Sequence, residues 1–180
     1  MSPPRPPLDA RAVFCYGSLR APEVVTALLG APLPSRRAWR ADALIRSVIG
    51  EDFPALALCP PAPRPAPLWA PGELLTLAPP QSAERVAQLA RLDAFEEVGA
   101  GEYVRAPLLV WARPEGDGGA GAPVYLEPVW AWCYLPGPAL EGRLGGGWSF
   151  EERDALMRAR GGWLSSPALE AARRLSLTCQ

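Results

Sequence analysis

The stretch Leu92-Asp93-Ala94-Phe95-Glu96-Glu97 places three carboxylates within five residues. It closes a segment, 82–95, that reads as a helix. Ser82 can cap the start, and Val86, Leu89, Ala90 and Leu92 follow helical spacing. A carboxylate at a helix C-terminus meets the negative end of the dipole, and burial there raises its pKa. A pKa near neutrality is what a general acid or base requires. Asp93, Glu96 and Glu97 cannot all turn inward, and Phe95 is the apolar anchor that decides among them. Taken alone, the stretch is explained more simply as a solvated helix end.

Tyr16-Gly17-Ser18-Leu19 is a second candidate. It follows the β-prone run Val13-Phe14-Cys15-Tyr16 and precedes a helix predicted over Pro22–Leu29, with Pro22 in the first turn and Gly30 at the stop. A strand turning sharply into a helix leaves amides unpaired, which makes an anion cradle. Gly17 lets backbone approach a ligand. Alone, the tetrapeptide fits a plain turn in which glycine serves only for its dihedrals. The third candidate is a pair of strands. Tyr103, Arg105, Leu109 and Trp111 share one face of the first by period two. Trp130, Trp132 and Tyr134 share a face of the second, with Val129, Ala131, Cys133 and Leu135 behind. Such strands suit a pocket wall for a small polar ligand, or an ordinary aromatic core. Arg105 can hold a carboxylate ligand or pair with an acidic side chain.

The elements that must position these residues form an α+β pattern. Strands are expected at 39–48, 55–58, 72–77, 103–111 and 124–135, with 59–71 as a proline-rich surface loop. Glycine-rich loops are expected at 116–121 and 142–147. Ser149 with Glu152 has capping-box spacing and starts a helix that stops at Gly161-Gly162. A last short helix falls at 168–175. The hairpin over 103–135 makes part of the sheet antiparallel.

Composition narrows the chemistry. The chain of 180 residues has no His and no Lys, so all 18 basic residues are Arg. Ser-His and Cys-His nucleophile pairs, His-containing metal sites, Schiff-base lysines and the P-loop lysine are therefore excluded. The remaining proton carriers are carboxylate, Tyr and Cys. Cys15, Cys59, Cys133 and Cys179 form no C-x-x-C, and Cys15 and Cys133 read as core residues. No metal and no cofactor is expected. A net charge of −1 and a pI of about 5.6 give no field for nucleic acid. No apolar run suits a membrane span or an export signal, so a cytoplasmic location is expected.

Four motifs in order carry a resemblance. Val13-Phe14-Cys15-Tyr16-Gly17-Ser18-Leu19 is similar to the V-F-x-Y-G-S-L opening of the γ-glutamylcyclotransferase-like family, including its AIG2-like branch. Phe53-Pro54-Ala55-Leu56 and Pro71-Gly72-Glu73-Leu74 resemble its Y/F-P-A-L and V-x-G-E-L strands. Leu92-Asp93-Ala94-Phe95-Glu96 with Tyr103-Val104-Arg105 resembles L-D-x-x-E-G…Y-x-R. Trp148-Ser149-Phe150-Glu151-Glu152 resembles the W-D-F-E-E helix start of AIG2-like members.

The resemblance implies a small mixed, largely antiparallel β-barrel over 12–147. A tail at 1–11 would precede it, and a helical extension at 148–180 would pack on it. It implies a cyclotransferase releasing 5-oxoproline and an amine or amino acid from a small γ-glutamyl compound, without nucleic acid, membrane or cofactor. Glu96 would be the acid/base residue, and Tyr16, Gly17, Ser18 and Leu19 the substrate cradle. Tyr103 and Tyr134 would add hydrogen-bonding walls. Two departures from the pattern matter. Glu97 stands at a family glycine, so the following turn is expected to differ. Leu19-Arg20 replaces the Asn-Leu of the glutathione-cycle enzymes, which points to the AIG2-like or γ-glutamylamine branch. A binding module that kept the pocket and lost turnover is the alternative reading.

Overall fold

Alternation with period two decides the architecture. Ala12 and Phe14 of β1 (Ala12–Cys15) face one way with Tyr16, which follows it, and Val13 and Cys15 face the other. The first set points into a barrel; the second packs against helices. A computed structural model, which describes residues 10–60, 68–114, 125–160, 162–163 and 166–178, shows this barrel to be closed and five-stranded. Its other strands are β2 (Ser35–Ala41), β5 (Trp69–Thr76), β6 (Tyr103–Ala112) and β7 (Glu127–Pro136), in the order β1-β5-β2-β6-β7. Every neighbouring pair is antiparallel except β1 with β7. A barrel of so few strands has a narrow interior. Small inward residues (Ala38, Ala70, Ala112, Ala131, Cys133) leave room for Phe14, Leu74 and Val110. A second sheet, β4-β3-β8, adds Ala43, Ile45 and Leu56 to this core. Its strands are β3 (Ala43–Val48), β4 (Pro54–Leu58) and β8 (Leu144–Gly147).

The helices are α1 (Pro22–Leu29), α2 (Ala83–Phe95), α3 (Phe150–Ala159) and α4 (Pro167–Thr178). Ser82 caps α2 by accepting from the Arg85 amide at 3.1 Å, and Ser149 caps α3 by accepting from the Glu152 amide at 3.3 Å. Gly30 closes α1 in the left-handed conformation. α4 packs beside α1 and α2, around a second core of Val13, Val24, Leu28, Leu92, Leu140 and Leu169. No helix among the described residues is long and apolar enough to cross a membrane.

The structure corrects several expectations. The strand expected at 39–48 is two strands in different sheets. Asp42, at φ 51°, turns the chain between them, a conformation that Asp tolerates better than most residues. Pro71 lies within β5 rather than in a loop. It pairs only with Trp39 of β2, because β1 meets β5 at residues 73–76. The glycine run 142–147 ends in β8, whose main chain pairs with β3. Val86 is 66% exposed, and α2 buries Arg85, Gln88 and Leu92 instead. Arg85 and Gln88 face inward to bind main chain: Arg85 donates to the carbonyls of Ala78 and Ala10, and Gln88 accepts from the Ala78 amide. The last helix is longer than expected. The loop expected at 116–121 and most of that at 59–71 lie outside the described residues, as do Gly161 and Cys179. Cys15 and Cys133 are buried free thiols.

Candidate active site

A cavity of about 320 Å³ opens where the end of β1, the end of α2, the start of β6 and the helices α3 and α4 meet. Its size falls within the usual range of small-molecule sites. Tyr16, Gly17, Ser18, Leu19, Glu96, Tyr103 and Tyr134 all line it.

Glu96 is the residue at which α2 ends, with φ −87° and ψ 10°. Its amide still donates to the Leu92 carbonyl at 2.9 Å, so the last helical turn fixes its direction. Phe95 packs against the helix-side core, and Glu96 turns to the cavity. Burial, followed by the negative charge of Glu102, pushes the Glu96 carboxyl up to about 8. Burial raises the Cys15 thiol and the Tyr16, Tyr103 and Tyr134 phenols, and the charge of Glu96 adds to each shift.

Glu97 adopts φ 50° and ψ 39°, the left-handed conformation a glycine takes without strain. The departure from the resembled glycine therefore leaves a glycine-type turn in place. Non-glycine residues in this region cost roughly 1–2 kcal/mol. Part of that gain is offset because glycine loosens the unfolded chain. Glu97→Gly is expected to stabilise the protein by about 0.5–1 kcal/mol, measured by urea denaturation.

The opening turn differs in detail from a strand running directly into a helix. A short 3-10 turn, Ser18–Arg20, intervenes, and α1 begins only at Pro22. The Arg20 and Ala21 amides donate to the Gly17 and Ser18 carbonyls, both at 3.0 Å. Among the described residues, the Ser18 and Leu19 amides find no backbone acceptor. Gly17 has φ −117°, so left-handed freedom is not what it supplies. A Cβ there would stand 2.9 Å from Cγ of Pro54, so glycine is needed for packing against the Phe53-Pro54 segment. Arg20, the second departure, fastens this turn to α3: it lies 4.2 Å over the Phe150 ring and pairs with Glu151 at 2.8 Å.

The tyrosine hydroxyls are already donors to the protein. Tyr16 donates to the Tyr134 carbonyl at 2.6 Å, Tyr103 to the Pro54 carbonyl at 2.6 Å, and Tyr134 to Asp93 Oδ1 at 2.8 Å. Each phenolic oxygen can still accept, so Tyr103 and Tyr134 offer the cavity an acceptor and an apolar ring rather than a free donor. Asp93 also pairs with Arg105 at 3.1 Å, which settles the role left open for that arginine.

Sequence reasoning missed Glu102, Asp52, Arg153 and Arg174, all on the cavity wall. Glu102 had a usable signal, since it stands next to Tyr103 at the start of β6. Because the Glu102 charge raises the Glu96 carboxyl, Glu102→Gln is expected to lower it. Any activity limb set by Glu96 then moves to more acidic pH, which a pH–rate profile reads.

Fold and cavity together define a small α+β barrel with a cavity at the ends of β1 and α2. The chain belongs to the gamma-glutamyl cyclotransferase, AIG2-like family, whose model matches residues 13–150. Membership supports a cyclotransferase-type function at the level of the family. The fold is also similar to two solution structures from Arabidopsis thaliana. At5g39720.1 has a TM-score of 0.55 and 21% identity over 86% of this chain and 87% of that one. At3g28950.1 has a TM-score of 0.53 and 17% identity over 88% of this chain and 81% of that one. Among curated proteins none matches.

Proposed function

We propose that the protein converts a γ-glutamyl compound to 5-oxoproline and releases the amine or amino acid attached to the γ-carbonyl. The observation carrying this reading is Glu96: a carboxyl raised to about 8 that faces the same cavity as the Gly17–Leu19 backbone. The reaction is intramolecular. The substrate's α-amine attacks its own γ-carbonyl, the five-membered lactam closes, and the C–N bond to the leaving nitrogen breaks. The protein's main task is to hold the chain in attacking geometry. Ionised Glu96 accepts a proton from the α-ammonium and returns one to the leaving nitrogen. The Ser18 and Leu19 amides, without a backbone acceptor among the described residues, would bind the substrate carboxylate or the developing oxyanion. No metal or cofactor is called on.

Glu97 keeps a glycine-type left-handed turn, so this departure from the family pattern lends no weight to a binding module without turnover. The test is release of 5-oxoproline from a panel of γ-glutamyl amino acids and γ-glutamylamines. Release that depends on Glu96 supports the reading, and substrates that bind without being consumed overturn it.

A further inference from the structure

The family match ends at residue 150, but the cavity continues beyond it. Trp163, Ala168, Ala171, Arg153 and Arg174, from α3, α4 and the segment between them, form one wall, which Trp148 extends. This wall is firmly built. Trp163 is 4% exposed, stacks on Phe150 at 5.8 Å with planes 10° apart, and donates its indole N–H to Asp154 Oδ1 at 2.8 Å.

The two walls differ in chemistry. The acidic one, with Glu96, Glu97 and Glu102, suits the α-ammonium of the γ-glutamyl group. The other presents indole rings, alanine methyls and two guanidinium groups. Arg153 is held by Asp52 at 3.1 Å. Arg174 has no ion pair among the described residues. An apolar wall edged by an exposed guanidinium, with no ion pair among the described residues, matches an apolar side chain beside a carboxylate. An amine without a carboxylate leaves Arg174 unanswered, and a cationic amine is repelled by it.

We infer that the wall formed by Trp163, Ala168, Ala171 and Arg174 is the leaving-group subsite, and that it selects an α-amino acid with a large apolar side chain whose carboxylate binds Arg174. This rests on the cyclotransferase reading and narrows its substrate to γ-glutamyl dipeptides of that class.

The experiment compares kcat/KM of the full chain for γ-glutamylphenylalanine, γ-glutamylphenethylamine, γ-glutamylglycine and γ-glutamylputrescine, in the parent and in Arg174→Gln. Phenylalanine is expected to be the best leaving group. Its advantage over phenethylamine should be about tenfold or more, and should collapse by about that factor in Arg174→Gln. Arg174→Lys, which keeps the charge, should retain part of the preference. Equal rates for the two aromatic substrates, an equal loss on both in Arg174→Gln, or a preference for putrescine overturns the subsite. If no substrate releases 5-oxoproline, the cyclotransferase reading fails, and the subsite is then read by calorimetry with γ-glutamylphenylalanine. Binding about tenfold weaker in Arg174→Gln supports it; equal binding overturns it. Thermal melts of both variants show whether a loss is one of folding.

Discussion

Glu96→Gln is expected to lower 5-oxoproline release by about 10²–10⁴-fold, the usual contribution of a positioned general acid–base group. Glutamine keeps the shape of the side chain and can neither accept nor return the proton. The same substitution is expected to stabilise the fold at alkaline pH. The folded carboxyl sits at about 8 against 4.5 for an unperturbed glutamate. Between those values the native state holds a proton that the unfolded chain has released, so stability falls as pH rises from 4.5 through 8. Above that window the full cost of ionising a crowded carboxylate is present. Glu96 keeps some solvent contact through the cavity, which tempers the penalty to on the order of 2 kcal/mol. Thermal melts should therefore nearly coincide for parent and variant at pH 4.5 and separate by pH 8.5, with the variant higher. A variant that is inactive and destabilised at every pH would point to a merely structural carboxyl.

Gly72→Ala is expected to damage the barrel severely, although it adds only a single methyl group. A Cβ at position 72 would stand 2.4 Å from the Cys15 carbonyl oxygen and 2.6 Å from Phe14 Cε2. The carbonyl belongs to β1, which is paired with β5 on one side and β7 on the other, so it cannot retreat without opening the barrel. The Phe14 ring is 1% exposed and is packed in the barrel core. Overpacking of this kind costs about 1–3 kcal/mol and sometimes more; a backbone clash belongs at the upper end, about 3 kcal/mol. Urea denaturation measures it, and a loss below about 0.5 kcal/mol would contradict the packing described. Any displaced strand would also carry Tyr16 and Gly17 with it, so activity should fall alongside stability. At Gly17 the conflict is with the Pro54 ring alone, and the loss should be smaller.

These two positions show how far the sequence could be read. Local signals were sufficient for the helices: Pro22 and Gly30 bound α1, and the side chains of Ser82 and Ser149 make the capping bonds their positions suggest. The pairing of β6 with β7 followed from two apolar runs on either side of a glycine-rich segment. Barrel closure through the parallel β1–β7 pair is a long-range contact that local periodicity does not encode; it entered as an implication of the family motifs. The buried face of α2 was misread because Arg85 and Gln88 turn inward to satisfy the main chain at residues 10 and 78, which hydrophobicity does not register. The division at Asp42 escaped notice because each half is a good strand by itself.

The candidate site was legible in the Tyr16–Leu19 turn and the Leu92–Glu96 helix end, because each couples a distinctive residue to an element boundary. The wall formed by Arg153, Trp163 and Arg174 was not. Its members lie on two helices and the segment between them, and only packing brings them onto one surface. Glu102 was overlooked because a glutamate after Gly101 looks like an ordinary turn residue. Its effect on Glu96 exists only once β6 and the end of α2 are brought together.

The central claim is that Glu96, raised to about 8, carries the proton in lactam formation. Its most direct test is the pH dependence of kcat/KM for 5-oxoproline release, which reports ionisations of the free enzyme. An acid limb near pH 8 is expected, moving to lower pH in Glu102→Gln and disappearing from the residual activity of Glu96→Gln. A limb near the ordinary glutamate value of 4.5, or one that persists unchanged in Glu96→Gln, would contradict it.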